Sequence, residues 1–120
     1  MRNFREYDIW KIALEIAKSI YVITKTFPPH EKFGLSAQLQ RAAVSISSNI
    51  AEGAARSSEK EFTRFLEIGL GSAFEVETQL IIAQEIGYIS EHDFSQIMEP
   101  VHSLQKQLHG LLESMPRKKF

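Results

Sequence analysis

The segment SEKEFTRFLEIGLGSAFEVETQLIIAQEIG, residues 58–87, is apolar on more than one side. Phe62, Leu66, Gly69, Ala73, Val76, Leu80 and Ala83 recur at alternating steps of four and three, which places them on one seam of a helix facing a bundle. Phe65, Ile68, Leu70, Phe74, Ile81, Ile82 and Ile86 fall elsewhere around the same cylinder. A helix that is apolar on most sides should be covered on most sides, which one four-helix bundle does not achieve. Ser58 with Glu61 three residues on has the spacing of a capping box, and Gly87 supplies a stop. At the ordinary rise the helix is about 45 Å long, against about 30 Å for the helix before it, so one end should overhang. Cover and length both predict contacts with another subunit.

The flanking sequence divides into three further helical stretches. Upstream, residues 36–55 place Leu39, Ala42, Ala43, Ile46 and Ile50 inward, with Gln38, Arg41, Ser45, Ser48 and Glu52 as a polar row at the same spacing. Before them, residues 8–27 carry Ile9, Ala13, Ile16, Ile20, Ile23 and Phe27 on one stripe, with Asp8 as the expected cap and Pro28-Pro29 as the stop. Downstream, residues 91–114 start after Ser90, with Asp93 at capping spacing, and run through Phe94, Ile97, Val101, Leu104, Leu108, Leu111 and Met115. Pro100 removes one helical hydrogen bond and predicts a bend or restart. Short connections favour neighbours in space. The expected fold is all-α, an antiparallel up-down-up-down four-helix bundle forming a single domain over residues 1–120 with a basic tail at 116–120.

Composition narrows the chemistry. The chain has no cysteine, which excludes disulfides, thiol catalysis and thiolate metal sites. Charged residues interrupt the apolar positions near the N-terminus, so no signal-peptide core forms, and no uncharged run spans a bilayer. The expectation is a cytoplasmic protein with no membrane partner. Net charge is −1, but residues 65–105 hold seven acids and no Lys or Arg, while both flanks are basic. That asymmetry suits the orientation of subunits or partners better than non-specific nucleic-acid binding.

Catalytic, cofactor and metal sites are all expected to be none. Glu99-Pro-Val-His102 has the Glu-x-x-His spacing of di-iron bundles, but those sites need a second such motif and two more carboxylates. His30, His92 and His109 stand apart in a turn, at a helix start and beside Leu108. No phosphate loop or nucleophile elbow occurs.

The small and polar residues of the two middle helices are the candidates for self-association. Glycine inside a helix costs about 1 kcal/mol relative to alanine, so Gly69 and Gly71, beside Ser72, call for a compensating close approach. Ala42, Ala43, Ser45, Ser47 and Ser48 are the natural opposite surface. Arg41 is expected to pair with Glu67, Glu75 or Glu77 of a neighbour, and Asn49 to satisfy backbone groups. The expected oligomer interface is therefore Arg41, Ser45, Asn49 and Glu52 on one helix, with Phe65, Gly69, Gly71, Ser72, Phe74 and Glu75 on the next.

Several strings carry a family resemblance. Phe33-Gly34-Leu35, the run Gln38 to Ile46, Ser48-Asn49-Ile50-Ala51-Glu52-Gly53, Lys60-Glu61-Phe62, Glu77-Thr78-Gln79-Leu80 and Gly87-Tyr88-Ile89 together resemble the four helix bundle protein family, also called 23S rRNA intervening-sequence proteins. The likeness runs from Asp8 to Leu111. It implies a small bacterial bundle forming a ring-shaped homopentamer, related to accessory proteins of diversity-generating retroelements that use a strongly basic ring to engage nucleic acid and a reverse transcriptase. This chain departs from those relatives in its slightly negative charge and in Ser47, where the family favours proline.

Two function classes follow. The favoured one is a non-enzymatic homo-oligomer, pentameric by resemblance, that scaffolds an unknown macromolecular partner. The alternative is an RNA- or DNA-binding accessory using Arg56, Lys60 and Arg64 at one bundle end and Arg117, Lys118 and Lys119 in the tail.

Overall fold

The computed structural model describes residues 2–115. Four helices follow one another, α1 (Asp8–Thr24), α2 (Leu35–Ala54), α3 (Glu59–Glu85) and α4 (Glu91–Ser114), with single 3-10 turns at Phe4–Glu6 and Pro29–Glu31. Each helix packs on its sequence neighbours and α1 closes against α4, while the diagonal pairs α1–α3 and α2–α4 do not approach. That contact pattern is an all-α four-helix bundle of up-down-up-down order. Its dimensions are 45 × 27 × 20 Å.

The core is the set of residues the periodicity selects. Ile16, Ile20, Leu39, Ile46, Ile50, Leu66, Val76, Leu80, Val101, Leu104 and Leu108 are fully buried in one cluster. Every residue of the α3 seam from Phe62 to Ala83 is buried. Removing a large aliphatic side chain from such a layer costs about 2–5 kcal/mol.

Of the three predicted caps, those at Ser58 and Ser90 form. Ser58 Oγ accepts from the Glu61 amide at 3.1 Å, and Ser90 Oγ accepts from the Asp93 amide at 3.1 Å. Each contributes about 1 kcal/mol by satisfying an amide the helix leaves unpaired. At the other end of α3, Gly87 takes φ +88°. The Tyr88 amide bonds back to the Ala83 carbonyl at 2.8 Å and the Gly87 amide to Gln84 at 3.1 Å, the paired bonds of a Schellman end.

Three expectations need correction. First, α1 ends at Thr24, not Phe27: the amides of Lys25, Thr26 and Phe27 bond three residues back, so the chain tightens ahead of Pro28 and Phe27 is buried from a turn. Second, Asp8 is the first helical residue rather than the cap; Tyr7 stands in the cap position without a side-chain bond, and Asp8 serves the helix dipole instead. Third, no restart occurs at Pro100, which lies inside a continuous α4. Its missing amide removes the helical partner of the Gln96 carbonyl, on an exposed residue.

Candidate interaction surfaces

The small-residue face of α3 meets α2 within the same chain. Ser72 Oγ donates to Ser45 Oγ at 3.0 Å, and Asn49 Nδ2 donates to Ser45 Oγ at 2.9 Å and to the Ser45 carbonyl at 2.7 Å. A methyl placed on Gly69 would lie 3.6 Å from the Ile46 carbonyl oxygen, an ordinary contact. Ser45, Asn49, Gly69 and Ser72 are thus brought together, but by packing between α2 and α3 of one subunit. The tight approach lies elsewhere. A Cβ on Gly53 would stand 2.7 Å from Phe65 Cβ and 3.2 Å from Phe62 Cδ1, so glycine is what lets the end of α2 rest on the start of α3. Gly53 is buried in the last turn of α2.

The rest of α3 turns outward. Ile68, Phe74, Ile81, Ile82 and Ile86 are between 37% and 54% exposed, which is more large apolar surface than any other helix shows. Ile68, Glu75 and Ile82 succeed one another at seven-residue spacing and share one face, which Ile86 extends. Phe74 lies a quarter turn away, bordering a shallow depression between α3 and α4 with Leu70, Gly71, His109 and Leu112. A Cβ on Gly71 would meet nothing within 4 Å. Arg41 and Glu52 are exposed on α2, and Phe65 is half-buried.

Arg56, Lys60 and Arg64 gather where α2 gives way to α3 and are all exposed. The Arg56 guanidinium lies 4.7 Å over the Phe65 ring. Its carbonyl accepts from Arg2 Nη1 at 2.7 Å, and Arg2 also pairs with Glu59 at 2.8 Å. The exposed carboxylates of Glu52, Glu59 and Glu61 share this end and dilute its positive field. Arg117, Lys118 and Lys119 lie outside the described residues.

His102 turns toward α3, with Nε2 at 3.3 Å from Glu77 Oε2, while Gln105 Nε2 donates to the other Glu77 oxygen at 2.8 Å. The Gln105 bond, aided by His102 and opposed by desolvation, holds the Glu77 carboxyl below the usual glutamate range. Among the described residues no three His, Asp or Glu side chains converge to hold a metal. Among the described residues no helix is long and apolar enough to cross a membrane.

At the opposite end, a network joins the two loops. Glu31 Oε1 accepts the Leu35 amide at 3.0 Å, standing in for a side-chain cap on α2, and Glu31 Oε2 accepts from the Tyr88 hydroxyl at 2.8 Å. Those bonds, the Leu35 amide first, lower the Glu31 pKa, and the same carboxylate raises that of Tyr88. The Tyr88 ring also packs on Phe27 at 5.3 Å. Sequence reasoning missed this link, whose partners lie 57 residues apart.

Comparisons with known proteins agree with this architecture. A crystal structure of a protein of unknown function from the S23 ribosomal protein family of Bacteroides thetaiotaomicron VPI-5482 superposes with a TM-score of 0.83 at 26% identity, covering 88% of this chain and 99% of that one. No curated protein sequence matches. The sequence profile of the 23S rRNA-intervening sequence proteins matches residues 5–110. The chain therefore belongs to the 23S rRNA-intervening sequence protein family.

Proposed function

We propose that this protein is a cytoplasmic, non-enzymatic homo-oligomer, a pentamer, that serves as a scaffold for a macromolecular partner. The observation that carries the reading is the outward side of α3, where Ile68, Phe74, Ile82 and Ile86 remain exposed after the bundle has closed. Burying apolar area of this kind is worth about 25 cal/mol per Å², and such patches mark association surfaces. Of the residues expected at the interface, Arg41, Glu52, Gly71, Phe74 and Glu75 are exposed, and Phe65 is half-buried. Sedimentation velocity and native mass spectrometry test the reading: it requires a discrete assembly that persists at low micromolar concentration.

A second reading is an RNA- or DNA-binding accessory. It is supported by the clustering of Arg56, Lys60 and Arg64 at one bundle end, which a ring would repeat in every subunit. Salt-dependent retention of RNA in a filter assay tests it, and loss of retention in an Arg56→Ala, Lys60→Ala, Arg64→Ala variant would locate the contact there.

A further inference from the structure

A groove runs between α1 and α2, and none of its lining residues belongs to α3. Tyr21 and Phe33 stand over it, 47% and 88% exposed, and Val44 continues it along α2. Lys25, Lys32 and Arg41 edge it, and no carboxylate lines it. Gln40 Nε2 donates to Thr24 Oγ1 at 3.0 Å across its floor, which holds α1 and α2 in register there. Among the described residues, none of these three cations makes an ion pair within the chain. The groove is therefore flanked by apolar and aromatic side chains, crossed by one polar bond, and positive along its edges.

The outward row of α3 has the opposite character. Glu75 stands among Ile68, Ile82 and Ile86, and Glu85 flanks them about a quarter turn away on the side of Phe74; both are exposed and, among the described residues, in no ion pair. Glu75 and Glu85 are ten residues apart, about 15 Å along the helix. Arg41 is six residues inside α2, about 9 Å from its start, and Lys32 lies in the turn before that start. Of the acids first considered as partners for Arg41, Glu77 is already engaged by Gln105 and His102, whereas Glu75 stands in the exposed row.

We infer that the α1–α2 groove of one subunit receives the acidic, isoleucine-bearing face of α3 from the next copy, with Lys25, Lys32 and Arg41 facing Glu75 and Glu85. This rests on the homo-oligomer reading and specifies its interface. Groove and ridge are different surfaces of one chain, so the contact is heterologous: each subunit offers a ridge to one neighbour and a groove to the other. Such a contact builds a ring or a filament and not a two-fold dimer. Complementary charge at its rim sets register and speeds encounter, while the isoleucines and the Tyr21 and Phe33 rings supply the buried area. A single-stranded nucleic acid stacking on those rings is the competing occupant. Three cations are few for that role, and the chain carries its own acidic, aliphatic counterpart.

The test is charge exchange. Lys25→Glu, Lys32→Glu and Arg41→Glu together form the groove variant; Glu75→Lys and Glu85→Lys form the ridge variant; a third chain carries all five changes. Far-UV circular dichroism and thermal melting establish that each chain folds, as these solvent-facing positions allow. In native mass spectra and sedimentation at about 150 mM salt, where facing charges still interact over about 8 Å, the groove and ridge variants each lose the wild-type assembly and run as single subunits. The five-fold exchange restores the wild-type subunit count. Assembly undisturbed by either reversal overturns the inference while the homo-oligomer reading stands. Loss in both with no restoration in the five-fold chain overturns the proposed pairing. Loss of single-stranded RNA binding in the groove variant with its assembly intact assigns the groove to nucleic acid and likewise overturns it. A wild-type chain that is itself a single subunit overturns both readings.

Discussion

Ser72 of α3 donates its hydroxyl to Ser45 of α2 at 3.0 Å, and Asn49 donates to the same Ser45 oxygen at 2.9 Å. The three residues form a polar stitch inside one subunit, between the helices with the most extensive mutual packing in the bundle. Ser72 is buried and Ser45 and Asn49 are half-buried, so the stitch is a stability element first.

Ser72→Ala should accordingly lower subunit stability by about 1 kcal/mol, the usual net worth of a neutral hydrogen bond. Urea titration followed by circular dichroism reads the change, and the number of subunits in the assembly should stay as it is in the wild type.

Two glycines should respond in opposite directions. Gly53→Ala places a methyl 2.7 Å from Phe65 Cβ and should cost about 1–3 kcal/mol as α2 and α3 are forced apart. Gly69→Ala meets only ordinary contacts and should be neutral or stabilising by up to about 1 kcal/mol through helix propensity. Thermal denaturation of the two variants side by side checks the contrast.

The loop network predicts an acid-sensitive α2 start. The Glu31 pKa is lowered in the folded chain by the Leu35 amide and the Tyr88 hydroxyl. Its stabilisation is therefore complete above the ordinary glutamate value, about 4.3, and is lost as pH falls through the lowered folded value. Chemical denaturation between neutral pH and about pH 3 should show that decline, and Glu31→Gln should flatten it. Tyr88 shifts upward, so its share persists below its ordinary value and is lost only as pH rises through the raised one.

The exposed apolar row should be dispensable for folding and needed for association. Ile82→Ser, at a position 46% exposed, should change subunit stability by less than about 0.5 kcal/mol. The same variant should shift the assembly toward smaller species at equal concentration in sedimentation velocity.

Much of the bundle was legible because periodicity and capping are local. The α3 seam, the Ser58 and Ser90 caps and the Gly87 stop depend on residues within a turn or two of each other, and all stand where the spacing put them. The end of α1 was misplaced because burial was taken for helicity: Phe27 is buried, but from a turn ahead of Pro28. Small residues announced a close helix contact without saying which glycine made it, since only the tertiary approach of Phe65 separates Gly53 from Gly69. Glu31 and Tyr88 were invisible for the same reason, as nothing in either neighbourhood specifies the other. Ser45, Asn49, Gly69 and Ser72 carried the right chemistry for a helix–helix contact, and the nearest helix proved to be their own chain's.

The most direct measurement is the native mass of the purified wild-type chain at low micromolar concentration. One dominant species at five times the 13.7 kDa subunit mass is the predicted result. A stable, well-folded single subunit of 13.7 kDa would contradict it, because the outward isoleucines of α3 would then be shown to need no cover.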